Sequence, residues 1–116
     1  MKRKSALAVA FKGRWRIAEM DQWDTDYLDL VEPAHITFSG AANGEGEIVF
    51  GAVNASLDVR YGARDGAACA EFTWQGFDEG DTASGRGWAA FGTAGRLVGH
   101  IFILNGDDSG FVAERN

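Results

Sequence analysis

Arg64-Asp65-Gly66-Ala67 sits between two runs of alternating apolar residues, and this one segment constrains the fold more than any other. Asp-Gly suits the two positive-φ positions of a two-residue type I′ turn, whose twist matches that of paired strands. Such a turn sets Tyr61 opposite Ala70, Val59 opposite Phe72 and Leu57 opposite Trp74, all apolar. Arg60 with Glu71 and Asp58 with Thr73 then make a polar face. One apolar and one wetted face describes an antiparallel sheet covered on one side.

A second hairpin follows from Thr93-Ala94-Gly95, with Gly95 in the left-handed position of a three-residue loop. Its register pairs Trp88 with His100, Ala90 with Val98 and Arg86 with Phe102 on one face. On the other it pairs Gly87 with Ile101, Gly85 with Ile103, Ala89 with Gly99 and Phe91 with Leu97, so the glycines are expected to make room for Ile101 and Ile103. Asn43-Gly44 suggests a third turn, joining the runs that contain Phe38 and Val49. Strand-like runs recur over residues 11–18, 34–39, 47–53, 56–61, 67–74, 86–91, 97–104 and 110–114. With 16 glycines, 14 aromatics and the single Pro33, the chain reads as all-β. We expect a small antiparallel meander barrel or strongly curved sheet of about eight strands. One short helix after the first strand is expected, capped by Asp24, with Tyr27, Leu30 and Val31 on one face and Pro33 beyond its end.

At 116 residues the chain has the length of one domain. We divide it into a basic N-terminal arm, residues 1–10, and a single barrel-like domain, residues 11–116. Residues 1–16 carry six basic side chains and no acid, whereas the remainder sets seventeen acids against five arginines. A body so acidic repels phosphate backbones, so direct nucleic-acid binding is not expected and a basic protein is the natural macromolecular partner. The apolar run from Ser5 to Phe11 is shorter than the core of a signal peptide, and no stretch approaches the ~18 residues of a membrane span. Cys69 has no partner for an intrachain disulfide, which fits a cytoplasmic location.

Phe11-Lys12-Gly13-Arg14-Trp15-Arg16-Ile17 resembles the Gly-x-Trp element that opens the first strand of lipocalins and related calycin barrels. The resemblance implies an eight-stranded up-and-down barrel, closed at one end by Trp15, around a small apolar ligand. The whole chain, through Trp23-Asp24, Ser84-Gly85-Arg86-Gly87-Trp88 and Gly106-Asp107-Asp108-Ser109, also resembles a group of short uncharacterised bacterial proteins.

Gly85-Arg86-Gly87-Trp88-Ala89-Ala90 matches a dinucleotide fingerprint by letter but falls inside a strand, where that motif cannot work. The loop at Asp107 and Asp108 offers paired carboxylates, yet not the ~6 oxygen ligands of a calcium site. His35, His100 and Cys69 lack the short spacing of zinc ligands, and Ser109 has no nucleophile elbow around it. No metal, cofactor or catalytic residue is therefore assigned, and an enzyme ranks third among the readings.

Two surfaces remain. Arg86, Trp88, His100 and Phe102 form a candidate ligand patch of aromatic rings, a guanidinium and an imidazole. Glu19, Asp21, Trp23, Asp24, Asp26, Tyr27 and Asp29 form an acidic, aromatic stretch suited to the basic groove of a partner, as in inhibitors that mimic nucleic acid. The favoured function is a non-catalytic binding module for an apolar or aromatic small ligand, and the alternative is an acidic interaction protein. Because Val98, His100 and Phe102 form a second apolar face on their strand, a homodimer through that face is also expected.

Overall fold

The computed structural model describes residues 2–41 and 44–116, with side chains from residue 6 onward. The turn expected at Asn43-Gly44 therefore lies partly outside the described residues. Eight strands form a closed antiparallel barrel in meander order: β1 (Gly13–Met20), β2 (His35–Phe38), β3 (Glu45–Phe50), β4 (Val53–Arg64), β5 (Ala67–Asp78), β6 (Asp81–Phe91), β7 (Leu97–Ile103) and β8 (Asp108–Arg115). Closure runs through β1 and β8, where Trp15 faces Arg115 and Met20 faces Phe111 across an irregularity between Ile17 and Glu19. Closing the sheet leaves no free first or last strand to template pairing with another chain.

Both expected hairpin registers are present residue for residue. Tyr61, Val59 and Leu57 face Ala70, Phe72 and Trp74, with Asp65 and Gly66 both at positive φ. Trp88 faces His100, and Arg86 faces Phe102. β4 runs longer than expected, from Val53, opposite Phe50, to Arg64, opposite Ala67. β5 and β6 run longer than expected because Glu79-Gly80 also makes a tight turn, with Asp78 opposite Asp81 and both turn residues at positive φ. Glutamate seldom takes that conformation, so this turn carries no Asn-Gly or Asp-Gly signature.

Alternation along the strands sends one set of side chains inward. On β4 the residues from Val53 to Tyr61 alternate buried and exposed without a break. Inward residues from every strand, with Ala8, Phe11 and Leu28 from outside the sheet, make one continuous buried cluster. The β6 and β7 glycines do make room, but for aromatic rings. A Cβ on Gly85 would strike Trp74, one on Gly87 would strike Phe72, and one on Gly99 would strike Phe111. Ile101 and Ile103, the neighbours expected from register alone, are not what fills that space. Inside a barrel, a ring crosses over to the backbone of the next strand, which pairwise register does not describe.

A helix stands at each end. Residues 2–11 form α1 (Lys2–Phe11), where the sequence led us to expect no helix. Its alanines, leucine and basic residues are good helix formers, but three cations in the first turn oppose the macrodipole, so tertiary packing decides. Ala8 and Phe11 are fully buried, and Phe11 rests against Phe38, Tyr61 and Phe91, at ring centroid separations of 5.5, 5.6 and 4.7 Å.

At the opposite end lies α2 (Thr25–Leu28), capped as expected by the Asp24 carboxylate, which accepts from the Tyr27 N–H at 3.0 Å. Its buried anchor is Leu28, however, and Leu30 and Val31 are 60% and 70% exposed. With a single turn the helix ends before helical spacing reaches Leu30, so the expected face of Tyr27, Leu30 and Val31 does not form. The Leu28 carbonyl accepts from the Gly51 N–H, and the Tyr27 ring lies where a Cβ on Gly51 would be.

Candidate functional site

The four residues of the expected ligand patch come together on the outside of the barrel. Register places Arg86 beside Phe102 and Trp88 beside His100, one step further along the same two strands. The Arg86 guanidinium lies 4.7 Å from the Phe102 ring centroid, and the imidazole of His100 tilts against the same ring at 4.6 Å. Asp108, facing Phe102 on β8, hydrogen-bonds His100 Nε2.

A fifth member, Arg64, was not among the expected residues. It sits next to the Asp-Gly turn at the end of β4 and reaches across β5, its guanidinium 4.3 Å above Trp88. Sequence spacing hides this contact, because Arg64 and Trp88 belong to strands two apart. The available signal was alternation, since Arg60 and Arg64 share the polar face of β4 with Asp58.

Arg64, Arg86, Trp88 and Phe102 line a groove along the outer face of β4 to β7, with His100 against Phe102 at its margin. One part, about 300 Å³, is bounded by Asp58, Arg60, Arg64, Glu71, Trp88 and Phe102, among others. It shares Asp58, Thr73, Arg86 and Phe102 with a wider part of about 800 Å³ that runs on to Gln75, Ser84 and Leu104. Leu104 and Phe77, at the far end, are 67% and 56% exposed.

Beneath the Arg64 and Trp88 end lies Cys69, whose cross-strand neighbours are Gly62 and Ala90. Burial pushes its thiol above the ordinary range, the Glu71 carboxylate adds to this, and Arg64 opposes it. A protonated, covered thiol is a poor nucleophile.

The acidic stretch is distributed differently. Asp21 accepts from the Gly110 N–H, Asp24 caps α2, and Asp29 both pairs with Arg16 at 2.8 Å and accepts from the Ala34 N–H. Trp23 stacks on Tyr27 and packs against Phe50, closing that end of the barrel. Glu19 and Asp26 are exposed. Asp21 and Asp29 thus tie loops to strands, and Asp24 is taken up by the helix cap.

Ser109 is buried, accepting from the Gln22 N–H and donating to the Gly110 carbonyl, so its hydroxyl is structural. His35 is 2% exposed and lies between the Pro33 carbonyl, 2.9 Å from Nδ1, and Glu47, 3.3 Å from Nε2. Among the described residues no group of three His, Cys, Asp or Glu is placed to hold a metal ion. No helix among them is long and apolar enough to cross a membrane. No protein-family model matches the chain, and no curated protein or solved structure matches it. The chain is established at the level of its architecture, a small all-β barrel of eight antiparallel strands.

Proposed function

We propose that this protein is a non-catalytic binding module, and that its ligand site is the outer groove of β4 to β7, with Arg86, Trp88, His100 and Phe102 in contact with an aromatic small molecule. The carrying observation is the pair of arginine–ring stacks, Arg64 on Trp88 and Arg86 on Phe102, side by side in one groove. Guanidinium planes and aromatic faces both stack on planar ligands, and strand positions hold them in fixed registry. The wider part of the groove falls within the ~300–1,000 Å³ typical of small-molecule sites, and the narrower part stands at its lower limit. The lumen is the weaker candidate, because Trp15, Phe38, Phe72, Trp74 and Phe111 project into one packed cluster there.

The test is backbone and indole NMR while titrating a set of aromatic fragments. Shifts are expected at Trp88, Arg86 and Phe102, and Trp88→Ala should abolish them. Fragments that instead perturb Trp15, Phe38 and Phe111, core residues that do not line the groove, would place the site in the lumen and overturn the reading.

A further inference from the structure

Most arginines with described side chains outside this groove have a committed partner. Arg16 is paired with Asp29, Arg96 with Glu114, and Arg115 with main-chain carbonyls. Arg64 and Arg86 differ: among the described residues neither makes an ion pair or a hydrogen bond through its guanidinium, and each places its guanidinium carbon over a ring. Arg60, the third in the groove, reaches Asp58 only at 4.0 Å, with both side chains largely exposed. Three of the five arginines beyond residue 16 therefore converge on one groove, and the donors of Arg64 and Arg86 are unclaimed by protein acceptors among the described residues. On a chain of net charge -6 this is a local reversal of sign.

Stacking occupies the face of a guanidinium and leaves its edge, with its N–H donors, free. An acceptor in the plane of Arg64 or Arg86 can then be bound without losing the ring contact, and a charged acceptor forms the stronger bond. A ligand that also presents a flat ring would complete the stack over Trp88 or Phe102. Resting on the binding reading above, we infer that the ligand is a planar aromatic anion, a ring carrying a phosphate or a carboxylate, with the anionic group held by Arg60, Arg64 and Arg86. Glu71 and Asp58 at the groove wall favour a ring that bears hydrogen-bond donors at its edge, as an aminopurine does. Long phosphate polymers are disfavoured, because acidic surface surrounds the groove and repulsion accumulates with each added phosphate.

Calorimetric titration of the intact chain with two matched pairs tests this: adenosine monophosphate against adenosine, and indole acetate against indole. Each anion is expected to bind at least about tenfold more tightly than its neutral partner, and the preference should shrink as salt rises. Arg86→Gln, at an exposed strand position, should remove most of that preference by weakening each anion far more than its neutral partner. Preference within only one pair identifies the anion as phosphate or carboxylate and supports the inference. Equal binding of anions and neutral partners at Trp88 would overturn the inference and leave the binding reading standing. Absence of any aromatic ligand from the groove would overturn both.

Discussion

The guanidinium of Arg115 lies 4.0 Å from the centroid of the Trp15 ring while donating to the carbonyls of Ala10 and Lys12. Trp15 in turn donates from Nε1 to the Phe11 carbonyl at 2.8 Å. Two residues facing each other across the β1–β8 seam thus supply the partners that the last carbonyls of α1 lack. The seam of the barrel and the stopper at its end are one structure.

Trp15→Ala is expected to cost ~3 to 5 kcal/mol, the range for a large buried aromatic, since the ring is 1% exposed. Arg115→Ala should cost only ~1 kcal/mol, the scale of a partly exposed cation–π contact and net hydrogen bonds. Urea melts of both variants check the ranking, and a loss below ~1 kcal/mol for Trp15→Ala would contradict the packing described.

Gly85→Ala should be damaging although the residue lies in a strand, where alanine usually costs little. The added Cβ would come within 1.9 Å of the Phe102 carbonyl oxygen and 2.8 Å of Trp74 Nε1. Overpacking of this kind costs ~1 to 3 kcal/mol. Gly62→Ala, where a Cβ meets nothing within 4 Å, is the matched control and should be near neutral in the same melt.

Tyr61 Oη is buried inside the barrel without a hydrogen-bond partner among the described residues, and burial pushes its phenol above the ordinary value of 10.0. An unsatisfied buried hydroxyl costs ~1 to 3 kcal/mol, so Tyr61→Phe is expected to stabilise by ~1 kcal/mol at neutral pH. The folded chain keeps this proton where the unfolded chain releases it. The contribution of Tyr61 to stability should therefore be flat below about pH 10 and fall as pH rises beyond it. Denaturant melts from pH 8 to 11 should show a shallower alkaline decline for Tyr61→Phe. A decline identical in both proteins would assign the loss elsewhere, first to the raised thiol of Cys69.

Val98 is 42% exposed on the outer face of β7, between Ala90 on β6 and Val112 on β8. The short helix after β1 packs on β1, and Val98 stays exposed. Self-association through this face is therefore proposed to centre on Val98, with His100 at its margin. Sedimentation at micromolar concentration should show a dimer that Val98→Asp dissociates. A 12.5 kDa species for both proteins would show that the face stays bare in solution.

Much of this molecule is local in origin and was legible from the chain alone. Asp65-Gly66 set a register that carried Leu57, Val59 and Tyr61 to one side of the sheet, and Gly95 did the same for Leu97 to Ile103. Turn geometry fixes pairing over the few residues beside it, and a period of two then assigns every side chain a face. Asp24 as a helix cap belongs to the same class, since the carboxylate reaches only three residues along the chain, to the Tyr27 N–H. Closure of β1 on β8 required partners about a hundred residues apart, and no local pattern specifies them. The helical state of residues 2–11 also depended on the barrel, because a ten-residue helix is marginal until Ala8 and Phe11 are buried. Arg64 met Trp88 because a long side chain reaches over the small Ala67 and Cys69 of β5, a contact that needs the β4–β5 and β5–β6 registers together. Sequence settled the registers of β4 with β5 and of β6 with β7, and only the closed barrel decided which distant groups share a surface.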